Sequence, residues 1–324
     1  MKIAIIGTGA YSSAIAEQLY KKNKNIIMWT ESQEKYENYI KERCITGIIE
    51  NHSLPKDIKL TTSYEEAIKD AEIIFLVPAA AYVGKICQDI KDLVTKKQIV
   101  CIASKGIDNN KCEFLSDIAS NTLKTKKIAN ISGPSFAVDM LSNNPIGLSI
   151  ASKNKNIIKT IKEVLSNDTL KLRESNDPIG IQICGSIKNV IAVASGILDG
   201  LGYPESTRSF LITESLHDIK ELISKLGGNP KTILSFAGVG DLLLTCTSTK
   251  SRNFSFGRVL ATGDKKKIAA YLNENTVEGY YTLKSIYKLV KRKRIKMPII
   301  DLIYEIVMNN KNPNLLGEFL INKK

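Results

Sequence analysis

The first half of the chain alternates short apolar runs with longer stretches of helical periodicity. Helix-length stretches such as Ser12–Lys22 and Lys111–Leu123 separate several of the runs. Strands that alternate with helices in this way favour an α/β fold with a doubly wound parallel sheet. Thr169–Arg173 is a candidate edge strand of that sheet. The predicted buried strands are Ile3–Ile6, Ile26–Trp29, Ile73–Val77, Ile99–Ala103, Ile128–Ile131 and Gly147–Ala151.

The pattern changes at Asn176-Asp177-Pro178. Pro178 disfavours helix at Asp177, and asparagine suits a turn, so this tripeptide is a candidate boundary. The sequence therefore predicts two domains, residues 1–177 with the sheet and an all-helical domain over residues 178–324. The predicted helical segments of the second half are Ile179–Leu198, Phe210–Leu226, Pro230–Phe236, Lys266–Leu272, Tyr281–Val290 and Pro298–Met308.

A glycine-rich turn, Gly7-Thr8-Gly9-Ala10-Tyr11-Ser12, follows the first predicted strand. Gly7 permits the tight turn, and Gly9 lets the backbone approach a pyrophosphate at the amino end of the next helix. Ser12 replaces the third glycine of the GxGxxG fingerprint and is small enough for close packing of helix on strand. Glu31 follows the second strand, about twenty residues on, where the fingerprint has its acid. These features predict a Rossmann-type domain that binds a nicotinamide dinucleotide.

Composition narrows the class of protein further. The net charge is +13, but lysines are scattered along all 324 residues rather than clustered, which disfavours nucleic-acid binding. The six cysteines form no CxxC pair, so buried free thiols in a reducing compartment are favoured over disulfides or a metal site. The first apolar run stops at Gly7, too early for a secretion signal, and a cytoplasmic location is expected. The apolar stretch Pro178–Leu198 has the length of a membrane span, but its polar and glycine residues favour a buried core helix.

Candidate chemistry centres on Lys188, the one charged residue between Asp177 and Asp199. Burial would lower its pKa and make the neutral amine available as a base; the alternative is a lysine that reaches solvent from a half-exposed helix. Lys105 and the segment Ser132–Ala137 follow predicted strands, at the sheet edge where open α/β folds bind ligands.

Two later segments carry weaker signals. Ser251-Arg252-Asn253 has a composition suited to a phosphate. Gly238–Asp241 is either a part of the site or simply a helix terminus.

Together these segments resemble the bacterial NAD(P)-dependent glycerol-3-phosphate dehydrogenases, in the same order over nearly the whole chain. The matching segments are Gly7–Tyr11, Ser104–Gly106, Ile131–Ala137, Lys188–Ala192, Gly240–Leu242 with Thr245–Thr247, Ser251–Asn253 and Val277–Tyr280. The resemblance implies reversible reduction of dihydroxyacetone phosphate to sn-glycerol 3-phosphate, which supplies phospholipid synthesis. It also implies a homodimer.

The resemblance also assigns roles to residues. Lys188 would be the proton donor or acceptor, with Asp241 as its catalytic neighbour. The substrate would be surrounded by Lys105, Gly133, Ser135, Lys188, Asn189, Asp241, Ser251, Arg252 and Asn253. Beside Gly7, Gly9, Ser12 and Glu31 of the fingerprint, the dinucleotide would contact Ala10, Tyr11, Lys105, Ala137, Arg252 and Glu278.

The sequence departs from the family's pattern at Ser12, where glycine is usual, and at Glu31, where a basic residue is frequent. Tyr203–Ser209 and Glu214 also differ from the family's usual small-residue and basic pattern. A carboxylate at Glu31 predicts preference for NAD over NADP, since it can accept hydrogen bonds from the ribose hydroxyls and would repel a 2′-phosphate. The competing interpretation places Glu31 in solvent and gives the phosphate to Ser32, Gln33 and Lys35.

Three other functions stay open at this point. Dehydrogenases of β-hydroxy acids or phosphogluconate share the two-domain plan, but place an asparagine about one turn after the lysine, whereas Asn189 is adjacent to it. A non-catalytic dinucleotide sensor would not need Lys188, Asp241 and Arg252 together. A nucleic-acid binder would show strongly salt-dependent affinity for duplex DNA.

Overall fold

The computed structural model describes residues 1–42, 52–108 and 112–322. Contacts divide the chain into two compact units. The first consists of Met1–Ser104 and Leu115–Pro178, and the second of Lys105–Phe114 and Ile179–Lys324. The segment that follows the fifth strand thus groups with the helical half, which the linear pattern did not predict. Cys44, the first residue of the predicted helix Lys111–Leu123, and Lys324 lie outside the described residues.

The first unit is built on an eight-stranded sheet in the order β3-β2-β1-β4-β5-β6-β7-β8. The strands are β1 Lys2–Ile6, β2 Ile26–Trp29, β3 Lys59–Thr61, β4 Ala71–Leu76, β5 Ile99–Ile102, β6 Ile128–Ser132, β7 Ile146–Ala151 and β8 Leu170–Ser175. The predicted Rossmann-type sheet and the edge strand β8 are confirmed. The short strand β3 was missed, because three residues carry too little periodicity to be noticed.

The predicted parallel sheet has one antiparallel pair. β7 pairs antiparallel to β6, while every other neighbouring pair is parallel. A parallel return needs a crossover long enough to span the sheet. The connection from β6 to β7 contains only a five-residue helix, Ala137–Leu141, so the chain comes back beside β6 in the opposite direction.

Seven helices of the first unit cover both faces of the sheet. Ile3 and Ile5 of β1 belong to one apolar core, and Ala4 and Ile6 belong to the other. A strand buried on both faces reads as an unbroken apolar run, which is why β1 was visible in the sequence. The helices are α1 Ala10–Tyr20, α2 Gln33–Glu42, α3 Tyr64–Ile68, α4 Ala80–Ile90, α5 Leu115–Thr122, α6 Ala137–Leu141 and α7 Lys155–Leu165.

The second unit is helical, as predicted. Its α-helices are α8 Pro178–Gly200, α9 Glu205–Lys225, α10 Asp241–Thr247, α11 Arg252–Ala261, α12 Lys265–Glu274, α13 Glu278–Arg292, α14 Pro298–Asn309 and α15 Leu315–Asn322. Pro230–Leu234 forms a 3₁₀ helix instead of an α-helix. The helices α10, α11 and α15 were not predicted.

Helix α8 is the core of the second unit. By length and composition alone it could cross a membrane, but its most apolar window is entirely buried within the protein. A Cβ added to Gly196 would lie 1.9 Å from the carbonyl oxygen of Phe254, and one added to Gly257 would lie 2.1 Å from that of Val193. The backbones of α8 and α11 are therefore in direct contact, and only glycine fits at the crossing.

Candidate active site

The glycine turn joins β1 to α1. Gly7 has φ +125°, a conformation that glycine adopts without strain. Gly9 precedes the first residue of α1. The first turn of α1 contains no acidic residue, and no side chain in the described part of the chain caps this helix end. A Cβ on Gly9 would meet no atom of the described residues within 4 Å, so they leave space beside the turn. Backbone N–H groups that no side chain caps, at a helix amino end with room beside it, fit a pyrophosphate.

Ser12 fills the position of the third glycine. It is fully buried, and its Oγ would lie 3.3 Å from a Cβ on Gly7. Among the described residues its hydroxyl has no hydrogen-bond partner. The replacement is thus tolerated by size, and the first turn of α1 still packs closely against the glycine turn.

Glu31 lies on the bend that follows β2 and is exposed. Two residues before it, Trp29 stacks on Tyr64 with ring centroids 4.0 Å apart. The pKa of Tyr64 is raised, mainly by burial, with smaller contributions from the charges of Asp89 and Glu31. The carboxylate of Glu31 is therefore close enough to this aromatic pair to act on it electrostatically. Of the residues in the competing interpretation, Ser32 has a hydroxyl that accepts a hydrogen bond from the N–H of Lys35 at 3.1 Å.

Another group of predicted residues meets α1 in the first unit. The Ser135 hydroxyl lies 3.3 Å from the phenol oxygen of Tyr11 and 3.1 Å from the carbonyl oxygen of Gly133. Ala137 begins α6, two residues further on. The first unit thus brings Tyr11 of the glycine turn together with Ser135 of the loop after β6.

The second unit buries a cluster of charged side chains. The Lys188 ammonium donates to Asp241 Oδ1 at 2.8 Å, and the Lys105 ammonium donates to Asp241 Oδ2 at 3.0 Å. Lys188 also donates to Thr245 Oγ1 at 2.9 Å, and the Thr245 hydroxyl donates to the carbonyl oxygen of Asp241 at 2.6 Å. Asp241 is 1% exposed and Lys188 6%, so Lys188 is buried and does not reach solvent from a half-exposed helix. One carboxylate is held between two amines.

Burial lowers the pKa of Lys188, and the positive charge of Lys105 acts in the same direction. The carboxylate of Asp241 opposes both effects, since it favours the charged ammonium. The net direction is downward because burial is the largest effect: every residue of α8 from Gly180 to Leu198 is buried. The arrangement produces an amine that releases its proton more readily than an ordinary lysine.

Three amide and carboxylate groups form a second network in this unit. Gly279 N–H donates to Asn253 Oδ1 at 2.8 Å, and Asn253 Nδ2 donates to Asn189 Oδ1 at 3.0 Å. Asn189 Nδ2 then donates to Glu278 Oε2 at 3.1 Å. The network ties α8, α11 and α13 together. Burial raises the pKa of Glu278, against the opposing charges of Lys188, Arg252 and Lys105.

Ser251 and Arg252 begin α11. Ser251 caps the helix by accepting from the N–H of Phe254 at 3.2 Å, so its hydroxyl has a structural partner. Arg252 is exposed, and its guanidinium makes no ion pair with any carboxylate in the described part of the chain. Its charge still acts on Glu278. The first turn of α11 thus presents a cation whose donors are available to an anion.

Thr245 lies in one of the segments that match the family, but the sequence did not predict it as a site residue. The available signal was its spacing: four residues after Asp241, it lies on the same face of α10. Across the residues that the structure describes, no cluster of histidine, cysteine or acidic side chains could hold a metal ion.

Known proteins resemble the chain over almost its whole length. Models of the NAD-dependent glycerol-3-phosphate dehydrogenase family match residues 2–158, for its amino-terminal part, and residues 177–318, for its carboxyl-terminal part. The NAD(P)+ glycerol-3-phosphate dehydrogenase of Staphylococcus epidermidis is 31% identical over 312 residues, 95% of this chain and 94% of the relative. That of Staphylococcus aureus strain RF122 is 33% identical over 314 residues, with 95% and 94% covered.

A solved structure agrees with these relatives. The crystal structure of glycerol-3-phosphate dehydrogenase from Coxiella burnetii has a TM-score of 0.94 and 29% identity, and 99% of each chain is covered. The chain therefore belongs to the NAD(P)-dependent glycerol-3-phosphate dehydrogenase family.

Proposed function

We propose that this protein interconverts dihydroxyacetone phosphate and sn-glycerol 3-phosphate with a nicotinamide dinucleotide. The observation that carries the proposal is the cluster in which the buried Lys188 and Asp241 meet the half-buried Lys105, in a chain whose first unit has an open, uncapped glycine turn. The bound dinucleotide supplies the hydride acceptor or donor. The residues of the chain supply binding, orientation and the proton.

Lys188 is the proposed general acid and base. In the reducing direction its ammonium donates a proton to the oxygen that was the carbonyl oxygen of the ketone. In the oxidising direction the neutral amine accepts the proton of the same hydroxyl group. Asp241 and Thr245 hold the Lys188 nitrogen by two hydrogen bonds, at 2.8 and 2.9 Å, and so fix the direction of the remaining N–H. A lowered pKa suits a group that must work in both protonation states near neutral pH.

The substrate phosphate is assigned to Arg252, with Ser251 and Asn253 beside it. An exposed guanidinium without a carboxylate partner can form a bidentate pair with a phosphate. Asn189 and Lys105 are proposed as further substrate contacts in the helical unit, and Gly133 and Ser135 in the sheet unit. Ser251 and Asn253 already bond to Phe254 and Gly279, so we expect them to position α11 as much as to bind.

The dinucleotide is assigned to the glycine turn and to residues that the family resemblance adds. Gly7 and Gly9 would admit the pyrophosphate to the amino end of α1, and Glu31 would accept hydrogen bonds from the adenosine ribose. Because the exposed Glu31 would repel a 2′-phosphate, we propose that NAD is preferred to NADP. The remaining proposed contacts are Ala10, Tyr11, Ser12, Lys105, Ala137, Arg252 and Glu278.

In the cell, the product would supply glycerol 3-phosphate to phospholipid synthesis. We propose that the enzyme acts in the cytoplasm as a homodimer, without a metal ion. These three statements rest on the family and on composition.

A steady-state assay tests the proposed function. Purified protein is supplied with dihydroxyacetone phosphate and either NADH or NADPH, and with sn-glycerol 3-phosphate and the oxidised cofactors for the reverse direction. We expect turnover of this pair of substrates, faster with NADH, and none with a β-hydroxy acid or 6-phosphogluconate. Turnover of a β-hydroxy acid instead would show that the protein is a β-hydroxy acid dehydrogenase and would refute the proposed function. Dinucleotide binding without turnover of any substrate would favour a sensor.

A further inference from the structure

Two buried threonines connect the glycine turn to the end of the second strand. Thr8 lies between Gly7 and Gly9, and Thr30 directly follows β2. Their side-chain hydroxyls are hydrogen-bonded at 3.1 Å. Thr8 is 7% exposed and Thr30 2%, so the bond is shielded from bulk water. Residues 22 positions apart in the chain are thus joined at the carboxyl ends of the neighbouring strands β1 and β2.

Thr30 also fixes the loop that carries Glu31. Its Oγ1 accepts a hydrogen bond from the N–H of Ser32 at 3.2 Å, which closes a tight turn around Glu31. The Ser32 hydroxyl then accepts from the N–H of Lys35 at 3.1 Å in the first turn of α2. A single oxygen atom therefore holds both the glycine turn and the backbone on either side of Glu31.

The hydroxyls of Thr8 and Thr30 have two hydrogens to donate, and only one of them is donated to an acceptor in the described residues. Each threonine hydroxyl carries a single hydrogen. One of the two is used between Thr8 and Thr30, and the Ser32 N–H supplies a further hydrogen to Thr30 rather than accepting one. Within the described ranges, neither hydroxyl has another acceptor. Buried hydroxyls are normally satisfied, so a remaining donor at this position points to a ligand oxygen.

We propose that the Thr8–Thr30 pair is part of the dinucleotide site, a role that rests on the proposed function and adds residues to it. The pair holds the glycine turn and the loop that carries Glu31 at a fixed separation. It donates its spare hydrogen to the dinucleotide, whose pyrophosphate and adenosine ribose are proposed to bind on either side of it. Thr30 is a positioning residue for Glu31, so the pair also influences the choice between NAD and NADP.

Calorimetric titration with NADH and with NADPH, in the absence of substrate, tests this proposal. Thr30→Val keeps the shape of the side chain but removes the acceptor and donor. We expect it to raise the Kd for NADH about five- to tenfold, the effect of one hydrogen bond. Thr30→Ser retains the hydroxyl and should bind NADH within about twofold of the wild type. The ratio of the NADPH and NADH affinities should move towards one in Thr30→Val and stay at its original value in Thr30→Ser.

Thr61→Val is the matched control. Thr61 is 4% exposed, is the last residue of the neighbouring strand β3, and accepts from the N–H of Ser63 at 3.0 Å. Its hydroxyl bonds to Glu66 and not to the glycine turn. Thr61→Val should therefore lose a similar amount of stability in thermal unfolding and leave NADH binding unchanged. If Thr61→Val weakens NADH binding as much as Thr30→Val does, or if Thr30→Val binds like the wild type, the proposal is wrong.

Thr8→Val attacks the same bond from the other side and covers the case in which Thr30→Val does not fold. Thr8→Val should weaken NADH binding. The Kd of the double variant Thr8→Val/Thr30→Val should equal that of the single variant with the higher Kd, because both substitutions remove the same hydrogen bond. Additive losses would overturn the pairing. Since no substrate is present, a protein that binds NADH but does not turn over dihydroxyacetone phosphate would refute the proposed function and not this inference. Absence of binding to both NADH and NADPH would refute both.

Discussion

The glycine turn and the lysine cluster are two binding regions built in opposite ways. The turn is formed by consecutive residues, Gly7 to Ser12, and offers backbone N–H groups and open space beside Gly9. The cluster joins Lys188 to Asp241 across 53 positions of the chain, and Lys105 to Asp241 across 136. The turn carries no charged side chain, whereas the cluster carries three. One region recognises by the shape of its backbone and the other by the charge of its side chains.

The difference has an energetic consequence. Buried charges are costly unless they are paired and hydrogen-bonded, and removing one partner leaves the other unsatisfied. Asp241 is held by two amines, so the loss of either still leaves the carboxylate one cation. The cluster can therefore accept a change in the protonation of Lys188 during a reaction. We expect substitutions in the cluster to change catalysis, and substitutions at the turn to change dinucleotide binding.

The largest expected effect comes from the cluster. Lys188→Ala removes the proposed proton donor, and kcat should fall by a factor of about 10² to 10⁴. The single tryptophan, Trp29, lies in β2, so its quenching by NADH reports binding to the sheet unit. The midpoint of that quenching should be unchanged in Lys188→Ala. Lys225→Ala, which removes a surface lysine paired with Glu221, is the control for kcat.

The pH dependence of the rate sharpens the same point. Because burial lowers the pKa of Lys188, the rate of ketone reduction should fall as the pH rises through that lowered pKa, and the rate of alcohol oxidation should rise. Asp241→Asn removes the charge that favours the ammonium, so the fall of the reduction rate and the rise of the oxidation rate should both move to lower pH. Limbs that do not move in Asp241→Asn, or a Lys188→Ala variant that retains most of its turnover, would remove Lys188 from the proton transfer.

The second expected effect belongs to the turn and its neighbourhood. With Glu31 exposed after β2, kcat/KM should be higher for NADH than for NADPH by roughly a hundredfold, because like charges in a partly desolvated site repel. Glu31→Arg should remove or reverse that preference without altering the kcat obtained with saturating NADH. A wild-type protein that favours NADPH, or a ratio that Glu31→Arg leaves unmoved, would mean that the carboxylate does not face the ribose.

The third effect concerns the exposed cation of the helical unit. Arg252→Ala should raise KM for dihydroxyacetone phosphate by a factor of about 10 to 100, since charge-assisted hydrogen bonds contribute roughly 1.5–3 kcal/mol. The use of unphosphorylated dihydroxyacetone, which lacks the group that Arg252 is proposed to bind, should not change. Comparison of kcat/KM for the two ketones is the measurement. Equal losses for both would point to a role of Arg252 in cofactor binding or in the structure of α11.

The same contrast explains what the sequence could predict. The strand, turn and helix around Gly7 are consecutive, and β1 is buried on both faces, so periodicity and composition were sufficient to predict the sheet. β7 was assigned the wrong direction, because strand direction depends on the length of the connection and not on the strand itself. Helix α11 was missed because Gly257 and the polar residues at its start obscure an apolar periodicity.

The cluster shows the limit more clearly. Lys188 was conspicuous because it is the one charge in an apolar helix, but its partners lie far away in the chain. Thr245 and the pairing of Lys105 with Asp241 have no local signal beyond the spacing of Asp241 and Thr245 on α10. Only the family resemblance assigned Asn189 and Glu278 to the site, while Asn253 was also indicated by the composition of the segment Ser251–Asn253. The network that joins them depends on the packing of three helices, which sequence periodicity does not encode.

The smallest expected effects come from one substitution made at the glycine turn and in the network of Asn253, Asn189 and Glu278. This network adjoins the lysine cluster, because Asn189 follows Lys188 in the chain. A Cβ on Gly9 would meet no atom within 4 Å, and its φ of −81° is accessible to alanine. A Cβ on Gly279 would lie 2.5 Å from the carbonyl oxygen of Asn189 and 2.9 Å from Asn253 Oδ1. The first methyl group occupies space proposed for the dinucleotide, and the second occupies space that the protein fills itself.

Gly9→Ala should therefore leave thermal stability unchanged while it raises the Kd for NADH about fivefold or more, because the methyl group keeps the pyrophosphate away from the helix end. Gly279→Ala should do the reverse. Overpacking costs about 1–3 kcal/mol, so the free energy of unfolding in urea should fall by that amount while NADH still quenches Trp29 in the folded fraction. The two variants, measured side by side by denaturation and by NADH titration, should each fail a different assay. If Gly9→Ala lost stability without losing affinity, the open space beside the turn would not be the dinucleotide site, and the division between a backbone-built and a side-chain-built region would be wrong.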